Sequence, residues 1–155
     1  MPELRDLFDA VAAGKEGAVG SRFSHDSILV NYPLPKIIAN RGFHFLLRRL
    51  TRLPIRDVTN NLKLYPSELM RSIEIVEDGF AANAEVGIAP VVAGRSIAEV
   101  PISWIDRTPD MGRSNFGILK AAPGYVRVLL RAAQAQKARG RSSRRTQDGH
   151  GTSGV

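Results

Sequence analysis

Residues 96–116 read SIAEVPISWIDRTPDMGRSNF, and how this stretch is read decides the fold. Ile97, Val100, Ile102 and Trp104 are apolar and β-prone, so the first half is a strand. Pro101 lies inside that strand and has no amide hydrogen to give to a ladder, which places it at an edge or a bulge. The strand ends in Asp106 and Arg107, and a small polar loop follows from Thr108 to Ser114. A guanidinium at a strand terminus beside Gly112 suits a phosphate or diphosphate, because its planar fork of donors matches phosphate oxygens. The same residues would equally serve as a surface ion pair closing a turn.

Working outward, residues 79–93, GFAANAEVGIAPVVA, are small and apolar with one charge, Glu85. A lone carboxylate there either points outward or meets a cation such as Lys63 or Arg107, since burial without a partner is costly. Residues 67–76 are predicted to be helical, capped by Ser67, with Met70, Ile73 and Ile75 or Val76 on the buried side. Before them, Val58, Leu62 and Leu64 are core candidates around the polar set Asp57, Thr59, Asn60, Asn61 and Lys63. Asp57 could orient a turn or a basic partner, and Asn60 or Asn61 suits a left-handed turn position.

A helix is predicted after the Pro33 and Pro35 pair, ending at Pro54. At 100° per residue, Phe43, Leu46, Leu47, Leu50 and Leu53 share an inward arc, while Arg41, His44, Arg48 and Arg52 form a basic stripe. That stripe reads as a solvated face that would also suit anionic head groups. Upstream, residues 24–35 read as a loop and residues 17–23, GAVGSRF, as a strand exposing Ser21 and Arg22. Residues 2–13 form a short amphipathic helix stopped by Gly14.

Downstream, residues 114–139 read as helical with a joint at Pro123 and Gly124. Val126, Leu129, Leu130 and Ala133 form the apolar arc, joined by Leu119 and Ala122; Lys120, Arg127 and Arg131 lie about 100° away. Such a helix suits either a membrane surface or packing on the domain. Residues 140–155 are almost devoid of apolar side chains and are expected to be disordered.

The chain of 155 residues, 43% hydrophobic and 24% charged, is sized for one domain with a real core. It has no cysteine, which excludes disulfides and thiolate metal sites. Of the net charge of +7, residues 136–155 supply +4, from five basic residues against Asp148. The folded part is therefore only mildly basic, and with no stacking aromatics among its basic residues it is a poor fit to nucleic acid. No apolar run approaches the roughly 18 residues of a membrane span.

Four segments, in this order and spacing, resemble the second half of family-two glycosyltransferases of the dolichol-phosphate mannosyltransferase and polyprenyl-phosphate sugar transferase branch. They are GSRF at 20–23, DVTNNLKLY at 57–65, the Gly79, Phe80 and Glu85 segment, and EVPISWIDRTPDMGRSNF at 99–116. The resemblance covers about residues 2–130. It implies an incomplete GT-A-like α/β domain, a mixed sheet with flanking helices, over residues 1–135, followed by a basic tail over 136–155. It also implies transfer of a sugar from a nucleotide sugar to a polyprenyl phosphate by the complete enzymes. Arg22, Lys36 and Asn40 would then bind the acceptor phosphate, and Arg107 and Arg113 the donor diphosphate. Ser21, Asp57, Thr59, Asn60, Lys63, Glu85 and Ser114 would shape the pocket.

This chain departs from the family's pattern at several points. Lys36 and Asn40 are not the usual types, and Arg113 stands near where a lysine is common. No Asp-x-Asp motif, which in the family holds Mg or Mn and the donor diphosphate, occurs. The expectation is an acceptor-side fragment, inactive alone and without a cofactor of its own. It would lie peripherally at the cytoplasmic membrane face, binding polyprenyl phosphate or pairing with a separate donor-binding chain or with itself.

Overall fold

A computed structural model describes residues 2–54, 56–106 and 117–148. Arg107, Arg113 and Ser114, expected at the phosphate end of the site, lie outside the described residues.

The centre of the fold is β1 (Gly17–Ser21), every residue of which is buried. It is so enclosed because both neighbours are strands and α1 (Pro2–Ala12) covers it, with Leu7 of α1 buried against Ala18 and Val100. Two glycines allow this crowding: a Cβ on Gly17 would fall 2.5 Å from the Tyr65 ring, and one on Gly20 would fall 3.0 Å from Ile102. The sheet order is β3-β1-β4, where β3 is Lys63–Leu64 and β4 is Ile97–Pro101. Strand β1 runs antiparallel to β3 and parallel to β4, with Ser21 opposite Pro101. Mixed α/β architecture and an edge position for the Pro101 strand are thus both observed.

The expected single strand from Ile97 to Trp104 is in fact two. After Pro101 the Ile102 N–H still donates to the Ser21 carbonyl at 3.0 Å, and the chain then leaves the sheet. Trp104–Ile105 (β5) pairs in parallel with Leu29–Val30 (β2), a strand inside the segment expected to be a loop. This switch carries Trp104 and Asp106 away from the main sheet and toward the helices.

Helix α2 (Leu34–Thr51) ends where Arg52 takes a left-handed conformation, φ 59°. Its buried residues are His44, Leu47 and Thr51. The predicted arc is therefore rotated: Leu46 and Leu50 are about half exposed, and His44 of the supposed basic stripe is fully enclosed. Helix α3 (Ser67–Ser72) buries none of its residues; Pro66 occupies the cap position, with no side-chain cap from Ser67, and Met70, Ile75 and Val76 are exposed.

The small-residue stretch is helix α4 (Gly79–Val92), in which Ala81, Ala84, Ile88 and Val92 pack with Leu47, Val58, Val128, Leu129 and Ala132. Small side chains let the elements approach closely, as Gly87 shows: a Cβ there would sit 2.2 Å from the Val58 carbonyl oxygen.

Helix α5 (Ile118–Asp148) passes through Pro123 without ending and runs across residues 140–148, expected to be disordered. Its buried face is Val128, Leu129 and Ala132, leaving Leu119, Val126 and Leu130 exposed. No helix among the described residues is long and apolar enough to cross a membrane.

Candidate functional site

Arg22 follows directly on β1, so its backbone is fixed by the sheet, and Asp57 meets it from the segment after α2. The ion pair is bidentate, Nε to Oδ2 at 2.7 Å and Nη2 to Oδ1 at 2.9 Å, with Arg22 9% exposed and Asp57 fully buried. Burial alone would raise the Asp57 pKa, but the Arg22 guanidinium outweighs it and holds the carboxyl below its usual range. Burial likewise works against the Arg22 cation, and Asp57 more than compensates, so its pKa is raised. Asp57 is itself positioned by Glu99, whose Oε1 accepts the Arg56 and Asp57 amides at 2.8 Å each.

Thr59 completes the cluster. Its hydroxyl donates to Asp57 Oδ1 at 3.0 Å and accepts from Arg22 Nη2 at 2.9 Å and from Asn40 Nδ2 at 2.7 Å. Arg22 Nη1 donates to the Tyr32 hydroxyl at 3.0 Å, and its guanidinium lies 5.6–5.8 Å from the Phe23, Tyr32 and Trp104 ring centres. On the first turn of α2, Lys36 Nζ donates to Asp106 Oδ2 at 2.7 Å, with both side chains mostly buried.

These groups form one end of a cavity of about 590 Å³ between α2 and α5. Arg22, Tyr32, Lys36, Asn40, Trp104 and Asp106 line its polar end. Phe43, Leu46, Phe80, Ala121, Val126 and Leu129 are among the side chains that make the remainder apolar. A polar end rich in Arg22 and Lys36 donors, continued by an apolar channel, suits an amphiphile with a hydrogen-bond-accepting head.

His44 underlies this wall. Its Nδ1–H donates to the Asn40 carbonyl at 2.8 Å and Nε2 accepts the Val58 amide at 3.0 Å, which fixes the neutral tautomer. Burial pushes its pKa below 6.5, partly opposed by nearby Asp57. The unfolded chain therefore takes up a proton on His44 before the folded chain does. Stability should fall as pH drops below about 6.5, the unperturbed histidine value, and level off beneath the folded-state pKa. Urea midpoints between pH 7.5 and 5.5 check this; His44→Asn should be less stable but show a flatter slope.

The other expected pocket residues separate from the cavity. Lys63 lies behind the wall with Nζ on the Asn60 carbonyl and Asn83 Oδ1, and burial lowers its pKa to about 8. Asn60 is buried and turns the backbone, its Oδ1 accepting the Leu62 amide at 2.8 Å, while Asn61 lines the cavity instead. Ser21 is fully buried and does not line it.

Glu85 pairs with Arg131 and not with Lys63, while Arg107, the other cation suggested for it, lies outside the described residues. Glu85 Oε2 accepts the Val76 and Glu77 amides at 2.9 Å each, and Oε1 takes Arg131 at 3.0 Å, because α4 packs on α5. Glu77 joins it, held by Arg127 and Arg131 at 2.7 Å each, and the two guanidinium groups pull its pKa down to about 2. Tyr32 and Tyr125 escaped the sequence reading, and Trp104 was read there only as a strand residue.

The described residues do not fit the divalent metal that the resemblance implies. Among the described residues no three His, Asp or Glu gather to hold an ion, and Asp57 and Asp106 are each committed to a cation.

Fold and site together define an α/β protein whose cavity is polar at one end, where Arg22 and Lys36 are ion-paired, and apolar beyond. No family model matches the chain. Among curated proteins it is similar to the polyprenol monophosphomannose synthase of Mycolicibacterium smegmatis, 26% identical over 145 residues, which cover 92% of this chain and 52% of that protein. The chain thus spans about half the length of this relative.

Proposed function

We propose that this chain supplies the acceptor side of a glycosyl transfer to a polyprenyl phosphate. Lys36, Arg22 and Asn40 hold the phosphate and the α2–α5 channel holds the first isoprene units. The observation that carries the reading is the cavity itself, about 590 Å³, which joins Arg22 and Lys36 at one end to an apolar groove. The name of the relative supports it, since polyprenol monophosphomannose is a sugar joined to a lipid phosphate.

A phosphate oxygen is already anionic near neutral pH and is its own nucleophile, so this wall has to position it and balance its charge, with little general-base work. The sugar nucleotide and its divalent metal are held by residues outside this set, on a longer form of the chain, a donor-binding partner or a second copy. The chain alone binds the lipid without transferring sugar. It acts at the cytoplasmic membrane face, with residues 1–135 as the binding domain and 136–155 as a basic tail.

Vesicle co-sedimentation tests the proposal. Phosphatidylcholine vesicles containing a few per cent polyprenyl phosphate should retain the chain, and vesicles without it should not. Ala122→Trp fills the channel from α5 without touching the polar wall and should abolish the difference. Equal retention by both vesicles, or an unaffected Ala122→Trp variant, would refute the proposal.

A further inference from the structure

Helix α2 exposes an apolar and basic surface that the fold does not use. Leu34, Ile38 and Phe45 are 61–65% exposed. At 100° per residue they share an arc of about 60° with Arg49 and Arg52, both also exposed. Residues 34–56 hold six cationic side chains and no acid. Of these, Lys36 meets Asp106, and Arg41 lies against the Phe23 ring and donates to the Arg56 carbonyl. Among the described residues no carboxylate meets Arg48, Arg49 or Arg52. Arg52 is also held at φ 59° at the C-cap of α2, so a guanidinium occupies a left-handed position that glycine takes without strain.

The surface runs on to the mouth of the channel. Leu46 and Val126 line it, and Leu50 and Leu130, one turn further along each helix, extend its two sides; all four are about half exposed. On α5, Leu119 is 89% exposed. An apolar patch of this extent marks a docking surface, and its charges decide the partner. A protein would need a carboxylate placed against each arginine. A bilayer with acidic lipids presents anionic head groups over an acyl layer wherever the face lands, and a lipid held in the channel by its phosphate keeps the rest of its chain in that layer.

We infer that the outer face of α2, together with the channel lips, docks on a bilayer of acidic phospholipids, with Ile38 and Phe45 entering the acyl boundary and Arg49 and Arg52 meeting head-group phosphates. The inference rests on the lipid-phosphate reading above and adds a recognition of the membrane that needs no polyprenyl phosphate.

Vesicles free of polyprenyl phosphate test it: phosphatidylcholine alone, and phosphatidylcholine with about one third phosphatidylglycerol. The full chain should sediment with the acidic vesicles and not with the neutral ones, and raised salt should release it. Arg49→Gln and Arg52→Gly should each weaken retention about fivefold. Arg52→Gly suits the left-handed backbone, so its urea midpoint should be no lower than the parent's, which separates lost docking from lost folding. The chain has no cysteine, so Phe45→Cys carrying an environment-sensitive dye reports one position. Its emission should shift to the blue with acidic vesicles. The same dye on Asp6→Cys, on α1 across the sheet, should not shift.

Equal retention by both vesicles, no retention by acidic vesicles, or an unshifted dye at position 45 would overturn the inference. So would a dimer in light scattering that Phe45→Ser disperses, since a second copy would then cover this face. Decyl phosphate, titrated below its micelle-forming concentration, separates the two readings, and Arg49→Gln and Arg52→Gly should bind it as the parent does. If the parent binds decyl phosphate while acidic vesicles do not retain it, the docking inference alone fails. If neither is bound, both fail.

Discussion

Asp57→Ala is expected to cost roughly 3–5 kcal/mol of folding stability, the largest loss of any single change in the cavity wall. The carboxylate takes two bonds from the Arg22 side chain and one from the Arg22 amide at 3.0 Å, and its own amide is tied to Glu99. Truncation leaves a guanidinium 91% buried with no counter-charge, and strips Thr59 of the acceptor for its hydroxyl hydrogen. Most of the loss is the penalty of the orphaned cation, so removing both charges should hurt less than removing one. Arg22→Met with Asp57→Leu should therefore be more stable than Asp57→Ala alone, with lipid binding gone. Urea unfolding of the double variant, of its two component changes Arg22→Met and Asp57→Leu, and of Asp57→Ala decides the matter; additive losses in the double would mean the pair is not coupled.

Lys36→Met and Asp106→Asn should move lipid-phosphate affinity in opposite directions. The first removes a charge-assisted donor worth roughly 1.5–3 kcal/mol, or about 10- to 150-fold in affinity. The second removes the carboxylate that competes with the ligand for Lys36, bonded at 2.7 Å, and should tighten binding several-fold. A site that merely tolerates phosphate on its surface would lose little in either variant. Calorimetry with decyl phosphate distinguishes the cases, and a loss with Asp106→Asn would show that the carboxylate supports the site.

Much of the frame was legible in the sequence, because its signals are local. Pro101 marks an edge strand wherever it pairs, and β1, α1 and α2 follow from periodicity and breakers. What was not legible depends on pairings between distant segments. Nothing within residues 96–106 announces that the strand changes sheets at Ile102, since that depends on β2 arriving alongside. Periodicity ranked His44 with the arginines, yet two backbone partners make its burial tolerable and rotate α2 away from Leu46 and Leu50. Residues 79–93 lack an apolar period because small side chains cover α4 all round.

The site divides along the same line. Arg22 could be named through the GSRF segment of the resemblance, and Lys36 and Asn40 as the positions where the enzymes the chain resembles often carry a basic residue and a serine in the next helix; the structure brings all three to one cavity. Glu85 was recognised as needing a cation, but its partner Arg131 lies 46 residues away on a helix whose packing face the sequence set one position wrong. Tyr32 carries no motif and Trp104 was read only as a strand residue, and only the folded arrangement reveals them beside Arg22.

A crystal structure of the chain with decyl phosphate bound tests the central claim most directly. The account predicts the phosphate within hydrogen-bonding distance of Arg22, Lys36 and Asn40, and the alkyl chain running between α2 and α5 past Phe43 and Val126. A phosphate bound elsewhere, or an alkyl chain lying outside the α2–α5 groove, would contradict it.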